Sequence, residues 1–271
     1  MPRRIAIPMP HSTDREYGER ALPQYERAVA LAGGEPIRIP LDQSAAAVRQ
    51  LLESCEGVLL PGSNADVDPA KFQQERAQRT ADADARRENV DFLLLDDAYS
   101  QRKPVLGICY GLQSLNVYRA GSLIQHIPDF LPESRRTTVN HEAGRKVTIA
   151  HTVEIERSSK LENIVANGED REGQGLSPAD KETTSGEAST PEDHGLILPV
   201  NSSHHQSAGK IGHGLRIVAH CPDDGIVEAL EGTSPDHFVL AVQWHPERSL
   251  DDDAASRNIF RSLIEAAQLR T

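Results

Sequence analysis

The stretch PVLGICYGL at residues 104–112 decides the fold of this chain. Its apolar first half predicts a strand over residues 104–108 that is covered on both faces, and a helix is predicted to begin near Leu112. Between them, Cys109 stands in a G-x-C-x-G sequence at the turn from strand to helix. Glycines at these positions allow a sharp turn that presents the central side chain at the carboxyl edge of a sheet. The stretch predicts an α/β fold with a cysteine elbow; a buried, chemically idle cysteine is the alternative that these residues alone leave open.

Strand and helix patterns alternate in the first half of the chain. The predicted strands are residues 5–9, 36–41, 57–60 and 104–108. The predicted helices between them are one that ends at Gly33-Gly34, one that begins at Asp42 as N-cap and carries Val48, Leu51 and Leu52 on one face, and one over residues 86–99. Alternation of this kind predicts parallel strands joined by crossover helices.

The second half is richer in strands. They are predicted at residues 146–155, 197–202, 215–219, 226–230 and 238–243, before a closing helix at 252–268. Their short connections predict an antiparallel extension of the sheet. Residues 166–195 stand apart because they contain eight acidic and two basic residues and almost no apolar bulk. Such a segment buries too little apolar surface to offset its ordering entropy, so we expect a mobile acidic insertion in one domain that spans residues 1–271.

The composition limits the partners and the compartment. A formal net charge of −12 disfavours nucleic acid and anionic membranes as partners. We expect a cytoplasmic protein, because no apolar run approaches the roughly 20 residues that span a bilayer and no signal peptide is evident. The three cysteines have no paired spacing, which argues against disulfides and thiolate metal sites. Cys55 and Cys221 are expected to be chemically idle, because neither lies on a glycine elbow.

A base for the cysteine is predicted near the end of the chain, in the sequence VQWHPE at residues 242–247. His245 follows a predicted strand, and Glu247 lies two residues further on, where an extended chain would bring its carboxylate to the same side. A histidine oriented by a carboxylate is the arrangement that activates a nucleophile. A helix N-terminus and a nearby imidazolium would both lower the pKa of the Cys109 thiol. The backbone N–H of Tyr110 would face a developing oxyanion.

The sequences GICYGLQSLNV and VQWHPE together resemble the class I glutamine amidotransferase superfamily. Within it, the chain is most similar to peptidase family C26, in the branch that contains γ-glutamyl-γ-aminobutyrate hydrolase. Further similar segments, in the family's order, are LPGSNADVDP at residues 60–69, DARRENVD at 84–91, VNSSHHQ at 200–206 and DGIVEALE at 224–231.

The resemblance implies a flavodoxin-like three-layer α/β fold with a mostly parallel central sheet. The active-site residues that it implies are the triad Cys109, His245 and Glu247, the oxyanion-hole N–H groups of Gly62 and Tyr110, and Gln113 against the glutamyl group of the substrate. The chain departs from the branch near the pocket, with Tyr110 in place of arginine, Ala120-Gly121 in place of Gly-Gly, Gln125-His126 in place of Gln-Asp, and Ser-Asn-Ala after Pro61-Gly62. These differences leave the triad intact and the identity of the leaving amine open.

Two pairs of neighbouring residues invite a functional interpretation. His204 and His205 would face opposite sides of a strand and could not easily share a metal ion. We expect a loop in which His205 lies near the substrate pocket, with no metal and no cofactor. For Arg87 and Glu88 we favour structural pairing over contact with the substrate.

The sequence therefore predicts a hydrolase that cleaves the γ-amide bond of a γ-glutamyl amine or glutamine-like small molecule through a γ-glutamyl thioester on Cys109. The alternatives are a glutaminase subunit that delivers ammonia to a separate synthase partner, and a catalytically silent binding protein on the same fold. An α/β-hydrolase fits less well, because its acid precedes the histidine whereas Glu247 follows His245. The oligomeric state, a homodimer included, stays open.

Overall fold

The computed structural model describes residues 1–166 and 195–269 of the chain. Its strands are β1 (Arg3–Pro8), β2 (Gly34–Ile39), β3 (Gly57–Leu60), β4 (Val105–Ile108), β5 (Leu123–Ile124), β6 (His151–Ile155), β7 (Leu196–Val200), β8 (Ser207–Ala208), β9 (Leu215–His220), β10 (Val227–Gly232) and β11 (Val239–Val242). Its helices are α1 (Arg15–Leu31), α2 (Ala45–Leu52), α3 (Ala85–Gln101), α4 (Tyr110–Tyr118), α5 (Ile127–Phe130), α6 (Lys160–Ala166) and α7 (Ala254–Gln268), with 3₁₀ turns at Pro69–Phe72, Glu133–Arg135 and Pro246–Arg248. The predicted insertion at residues 166–195 lies outside the described residues except for its two ends.

Nine of the described strands form one sheet in the order β2-β1-β3-β4-β11-β10-β9-β6-β7. The strands from β2 to β11 run parallel to one another, and the other four continue the sheet in antiparallel fashion. The predicted parallel half and antiparallel extension are both confirmed, except that the strand predicted at residues 238–243 is β11, which joins the parallel half beside β4. β5 and β8 form a separate ribbon that the sequence did not predict, because two residues are too few to show an alternating pattern.

Helices cover both faces of the sheet. Successive residues of a strand point to opposite sides, and in β1 both sides are apolar. Ile5 and Ile7 pack in one core with residues of α1 and α7, whereas Ala6 packs in the other with residues of α2 and α3. The arrangement is therefore a three-layer α/β/α sandwich, and the predicted fold class is confirmed.

Helix α2 differs from its prediction in two details. Its N-cap is Ser44 rather than Asp42, because the Ser44 hydroxyl accepts a hydrogen bond from a backbone N–H of the first turn. Leu51 is exposed, and the buried face consists of Val48 and Leu52. None of the described helices is both long enough and apolar enough to cross a membrane.

Strand β6 is shorter than the predicted strand at residues 146–155. Its partner β7 ends at Val200, which pairs with His151, so the ladder does not continue through residues 146–150. Val147 and Ile149 are consequently exposed, although their alternation with polar residues is typical of a strand.

The carboxyl ends of three neighbouring parallel strands meet at one edge of the sheet. Leu60 in β3 lies opposite Gly107 in β4, and Ile108 in β4 lies opposite Val242 in β11. The chain segments that leave these three strands therefore emerge side by side, and they carry Gly62, Cys109 and His245.

Candidate active site

Cys109 occupies a strained turn between β4 and α4. Its backbone φ of +54° and ψ of −107° lie where non-glycine residues are rare, at a cost of about 1–3 kcal/mol. The flanking glycines leave the space that this turn needs. A Cβ on Gly111 would lie 2.1 Å from the Leu60 carbonyl oxygen, and a Cβ on Gly107 would lie 2.9 Å from the Gly111 backbone. The local geometry is that of the predicted elbow, with helix α4 beginning directly after the cysteine.

The Cys109 thiol is almost fully buried, and this burial raises its pKa to about 12. The guanidinium of Arg248 and the backbone N–H of Tyr110 favour the thiolate, but they do not offset the loss of solvation. The prediction of a lowered thiol pKa is therefore wrong, because it considered the helix N-terminus and not the desolvation. At neutral pH Cys109 rests as a thiol, and it needs a base to become a nucleophile.

His245 and Glu247 form a buried hydrogen-bonded pair. His245 Nδ1 lies 2.8 Å from Glu247 Oε1, and the 3₁₀ turn over Pro246–Arg248 brings the carboxylate back to the ring. The contact thus arises from a turn and not from the predicted extended chain. Since a carboxylate only accepts, Nδ1 carries the proton and Nε2 offers its lone pair. Burial lowers the pKa of His245 despite the opposing charge of Glu247, so the ring is neutral at pH 7.

Asn201 holds the backbone of His245 in place. Its side-chain amide donates to the His245 carbonyl at 2.9 Å, and its side-chain oxygen accepts from the His245 N–H at 3.0 Å. Both residues are buried. Asn201 was not among the predicted site residues; its place at the end of a strand, within the segment VNSSHHQ, was the available signal.

Gly62 lies against the ring of His245. A Cβ at this position would lie 3.0 Å from His245 Cε1, so any larger residue would press on the imidazole ring. The Gly62 N–H donates to the Tyr25 hydroxyl at 3.0 Å. This N–H, which the resemblance implies as an oxyanion donor, is therefore engaged in the described conformation. Tyr25 lies in α1, far from any motif, and was not predicted.

Arg87 supports the start of the loop that follows β3, where Gly62 lies. Its guanidinium is fully buried, pairs with Asp91 at 2.6 Å and donates to the carbonyl oxygens of Pro10 and Pro61 at 3.0 and 2.7 Å. The ring of Tyr110 lies under the same guanidinium, 4.8 Å away. The neighbouring Glu88 accepts a hydrogen bond from the Asp68 N–H at 2.6 Å. Both residues make the structural pairing that the sequence favours.

Gln113 and His205, the two predicted substrate contacts, have different surroundings. The Gln113 amide is buried and donates to the Gln206 carbonyl at 3.2 Å. His205 is partly exposed, and its Nε2 lies 3.0 Å from Asp66 Oδ1. The structure thus gives Gln113 a protein partner, while His205 retains some access to solvent.

The other two cysteines are buried and free. Burial raises the pKa of Cys55 above its ordinary value and that of Cys221 to about 12. Neither has the strained backbone of Cys109, in keeping with the expectation that both are chemically idle.

The fold of the chain is shared by solved structures of other proteins. A GMP synthase subunit from Thermoplasma acidophilum matches with a TM-score of 0.57 and 13% identity, over 99% of this chain and 95% of that one. A CTPS glutaminase domain of Trypanosoma brucei matches with a TM-score of 0.55 and 17% identity, over 99% and 95%. Likeness at this identity shows the fold alone. The predicted flavodoxin-like architecture is confirmed, and the two solved structures share it.

Sequence similarity places the chain in one family. The sequence model of peptidase C26 matches residues 6–173 and 185–247, and the chain belongs to this family. A glutamine amidotransferase-like protein of Rickettsia prowazekii is 33% identical over 251 residues, which cover 90% of this chain and 88% of that protein. The γ-glutamyl-γ-aminobutyrate hydrolase of Escherichia coli K12 is 30% identical over 249 residues, 90% and 85% of the two chains. Membership of the family makes the protein an enzyme that acts on amide bonds.

Proposed function

We propose that this enzyme hydrolyses the γ-amide bond of small γ-glutamyl amines through a γ-glutamyl thioester on Cys109. The observation that carries the proposal is the buried pair of His245 and Glu247, with Nδ1 and Oε1 2.8 Å apart. This pair fixes the tautomer that leaves Nε2 as a base, at the sheet edge where the strained turn presents Cys109.

The resting site consists of a neutral thiol and a neutral imidazole. Because burial raises the pKa of Cys109 and lowers that of His245, proton transfer accompanies the attack and does not precede it. The Sγ–H proton moves to His245 Nε2 while Sγ bonds to the γ-carbonyl carbon of the substrate. Glu247 stabilises the imidazolium that forms.

The tetrahedral intermediate then loses the amine. His245 returns its proton to the leaving nitrogen as the C–N bond breaks, which leaves the thioester on Cys109. A water molecule attacks the thioester and gives one proton to His245. The C–S bond breaks, the sulfur regains that proton, and glutamate is released.

Two backbone N–H groups are proposed to stabilise the oxyanion. The Tyr110 N–H lies at the start of α4, where the helix dipole favours negative charge. The Gly62 N–H joins it when the oxyanion replaces the Tyr25 hydroxyl as its acceptor. The exchange trades a neutral partner for a charged one, which strengthens the bond as the transition state forms.

The choice of a γ-glutamyl amine rests on the relatives. Proteins named γ-glutamyl-γ-aminobutyrate hydrolase align with 90% of this chain. Ammonia transfer to a synthase is the second candidate. Relatives at 33% identity are named glutamine amidotransferase or glutamine amidotransferase-like, but the domains whose names refer to a synthase share the fold at only 13% to 17% identity.

The test is a hydrolysis assay of the purified full chain on matched amides. The panel contains γ-glutamyl-γ-aminobutyrate, other γ-glutamyl amines and glutamine, with the α-glutamyl isomers as controls for the position of the bond. We expect release of glutamate from γ-linked substrates only, and none with Cys109→Ala. Intact mass measurement after rapid acid quench should show one added glutamyl group. Hydrolysis that persists in Cys109→Ala, or glutaminase activity that needs an added synthase, would overturn the proposal.

A further inference from the structure

Four buried side chains come together next to the loop that follows β7, which contains Asn201 and Gln206. They come from four separate segments: His141 precedes β6, His151 begins β6, His204 lies in the loop after β7, and Glu228 lies in β10. One nitrogen of each ring and a Glu228 carboxylate oxygen all lie within 4.8 Å of one another. The cluster occupies the space beyond the end of β9, and Asp224 lies in the turn that follows that strand.

The outward-facing nitrogen of each histidine donates to a group that can only accept. His151 Nδ1 lies 3.1 Å from the Thr152 carbonyl, and His204 Nδ1 lies 2.9 Å from the Gln206 carbonyl. His141 Nε2 lies 2.9 Å from Asp224 Oδ2. A carbonyl or carboxylate requires the N–H on that side of the ring, so each neutral imidazole turns its other nitrogen inward as a lone pair.

When the three rings are neutral, the inward atoms are therefore all acceptors. Glu228 Oε1 lies 3.3 Å from His141 Nδ1 and 3.5 Å from the Nε2 atoms of His151 and His204. Among the described residues, none of these four atoms has a hydrogen-bond partner, and neither does Glu228 Oε2. Buried acceptors that face one another repel unless a cation or protons stand between them.

Three of the six distances between the inward atoms, those from Glu228 Oε1, match the edges of a tetrahedral metal site, and all six are within 4.8 Å. Bonds of about 2.0–2.1 Å to Zn²⁺ place adjacent tetrahedral ligands about 3.3–3.4 Å apart, since the edge is about 1.6 times the bond length. The three distances from Glu228 Oε1 lie at or close to this value. Metal-bound histidines also characteristically donate their second N–H to a carboxylate or a backbone carbonyl, as all three rings do here.

We propose that His141, His151, His204 and Glu228 bind one Zn²⁺ ion. Three neutral imidazoles and one carboxylate are ligands that suit zinc. The charges of Glu228 and of Asp224 behind His141 balance the ion. Four protein ligands complete a tetrahedron, so the site is structural and not catalytic.

The ion would fasten the loop that builds the active site. His204 lies between Asn201, which holds His245, and Gln206, whose carbonyl accepts from Gln113. Binding of His204 to strands β6 and β10 through zinc would therefore fix both contacts. From the sequence we expected no metal at His204 and His205, because adjacent histidines in a strand face opposite sides. Their rings do have separate partners, since His204 lies in the cluster whereas His205 contacts Asp66. The other ligands are distant in sequence, so spacing did not reveal them.

The competing explanation is a metal-free cluster in which protons lie between the rings and Glu228. The experiment uses the full chain with Cys109→Ala, so that the Cys109 thiol cannot bind metal. The chain is stripped with a chelator, exposed to Zn²⁺, and separated from free metal by gel filtration. We expect one Zn²⁺ per chain by elemental analysis, a higher melting temperature, and, with Co²⁺ instead, the intense visible absorption of a tetrahedral complex that Zn²⁺ displaces.

Matched variants test the ligand set. His151→Ala and Glu228→Gln should each lose most of the bound zinc, and Asp224→Asn should weaken binding about 10–100-fold. His220 on β9 is a partly exposed histidine outside the cluster, and His220→Ala should bind zinc as the parent does. Cys221→Ser, beside Asp224 and His141, should also retain it. If a ligand variant does not fold, the Co²⁺ spectrum and the Zn²⁺-dependent melting shift of the parent decide.

Two results would overturn the proposal. One is a parent chain that retains no stoichiometric zinc and shows no tetrahedral Co²⁺ spectrum, which would establish the protonated cluster. The other is zinc retained by His151→Ala and Glu228→Gln but lost by Cys221→Ser. Neither result depends on hydrolytic activity, so failure here is distinct from failure of the proposed function.

Discussion

Asn201 and His245 are joined by two hydrogen bonds, at 2.9 and 3.0 Å, that pair the side-chain amide of one with the backbone of the other. His245 lies three residues beyond the end of β11 at Val242, and the amide supplies a donor and an acceptor to its backbone there. This contact connects the residue after β7, in the antiparallel extension, to the segment that follows β11, the last strand of the parallel half. The position of His245, the proposed base, therefore depends on a segment that carries no residue of the proposed triad.

Loss of this contact should reduce turnover more than substrate binding. We expect Asn201→Ala to lower kcat by roughly 10- to 100-fold with a smaller change in KM, because two buried hydrogen bonds worth about 1 kcal/mol each are lost and small misplacement of a base is costly. Asn258→Ala is the matched control, since its amide also caps a carbonyl, that of Ile164, away from the site. Steady-state kinetics on the best γ-glutamyl substrate measure both. Equal losses in the two variants would contradict a positioning role.

The three residues of the proposed triad should differ in how much activity their loss removes. Cys109→Ala and His245→Ala should abolish hydrolysis, whereas Glu247→Gln should leave a measurable remnant, because the amide oxygen still accepts from Nδ1. In a serine protease the acid costs roughly 10⁴-fold and the nucleophile or base roughly 10⁶-fold. The loss for Glu247→Gln should be smaller than 10⁴-fold, since a thiol is the stronger nucleophile. Variants shown to be folded by circular dichroism are compared, and more activity in Cys109→Ala than in Glu247→Gln would refute covalent catalysis.

The pH profile should reflect the lowered pKa of His245. Burial disfavours the imidazolium, and only the neutral ring accepts the Cys109 proton. The value of kcat/KM should therefore hold at pH 7 and fall at a pH below the ordinary histidine value of about 6.5. The folded chain binds this proton less readily than the unfolded chain, so this residue's contribution to stability is also lost as the pH falls below that value.

Glu247→Gln provides the check on this assignment. Removal of the carboxylate charge, which favours the imidazolium, should move the acidic limb of kcat/KM to still lower pH. The pH profile of kcat/KM is measured for the parent and for Glu247→Gln, which shows whether His245 sets the acidic limb. A limb that does not move would indicate that another group titrates.

Thiol reactivity should single out Cys109 despite its raised pKa. His245 can accept the proton as the sulfur forms its bond, whereas Cys221 is completely buried and Cys55 nearly so. A limiting amount of iodoacetamide at pH 7.5 should label Cys109 first and remove activity in proportion. Peptide mass mapping locates the label, and His245→Ala should slow labelling at Cys109 alone. Labelling of either other cysteine first, with activity intact, would contradict the assignment.

How far the sequence predicts this molecule depends on the range of the interactions. The order of elements and the glycine elbow follow from local patterns. Helix alternation predicted the parallel strands and short connections predicted the antiparallel ones, but the parallel pairing of β11 with β4 was not predicted. The raised pKa of Cys109 was not predicted, because the desolvation that causes it comes from groups on several elements. Tyr25 and Asn201 were missed for the same reason. Each contacts a residue that is distant in sequence, Gly62 and His245 respectively. The cluster around Glu228 is the extreme case, with ligands spread from residue 141 to residue 228.

The last prediction separates steric conflict from backbone strain at two glycines. Gly111→Ala should lower the free energy of unfolding by about 3 kcal/mol or more, or prevent folding, because its Cβ would lie 2.1 Å from a backbone oxygen of β3 that cannot yield without disturbing the sheet. Gly225→Ala has a positive φ of +79° and no atom within 4 Å of the new Cβ. It should cost only about 1 kcal/mol, the strain of a left-handed alanine. Urea unfolding monitored by circular dichroism gives both values. Equal effects would mean that the turn at Cys109 can relax, and the strain attributed to the elbow would then not be enforced by its glycines.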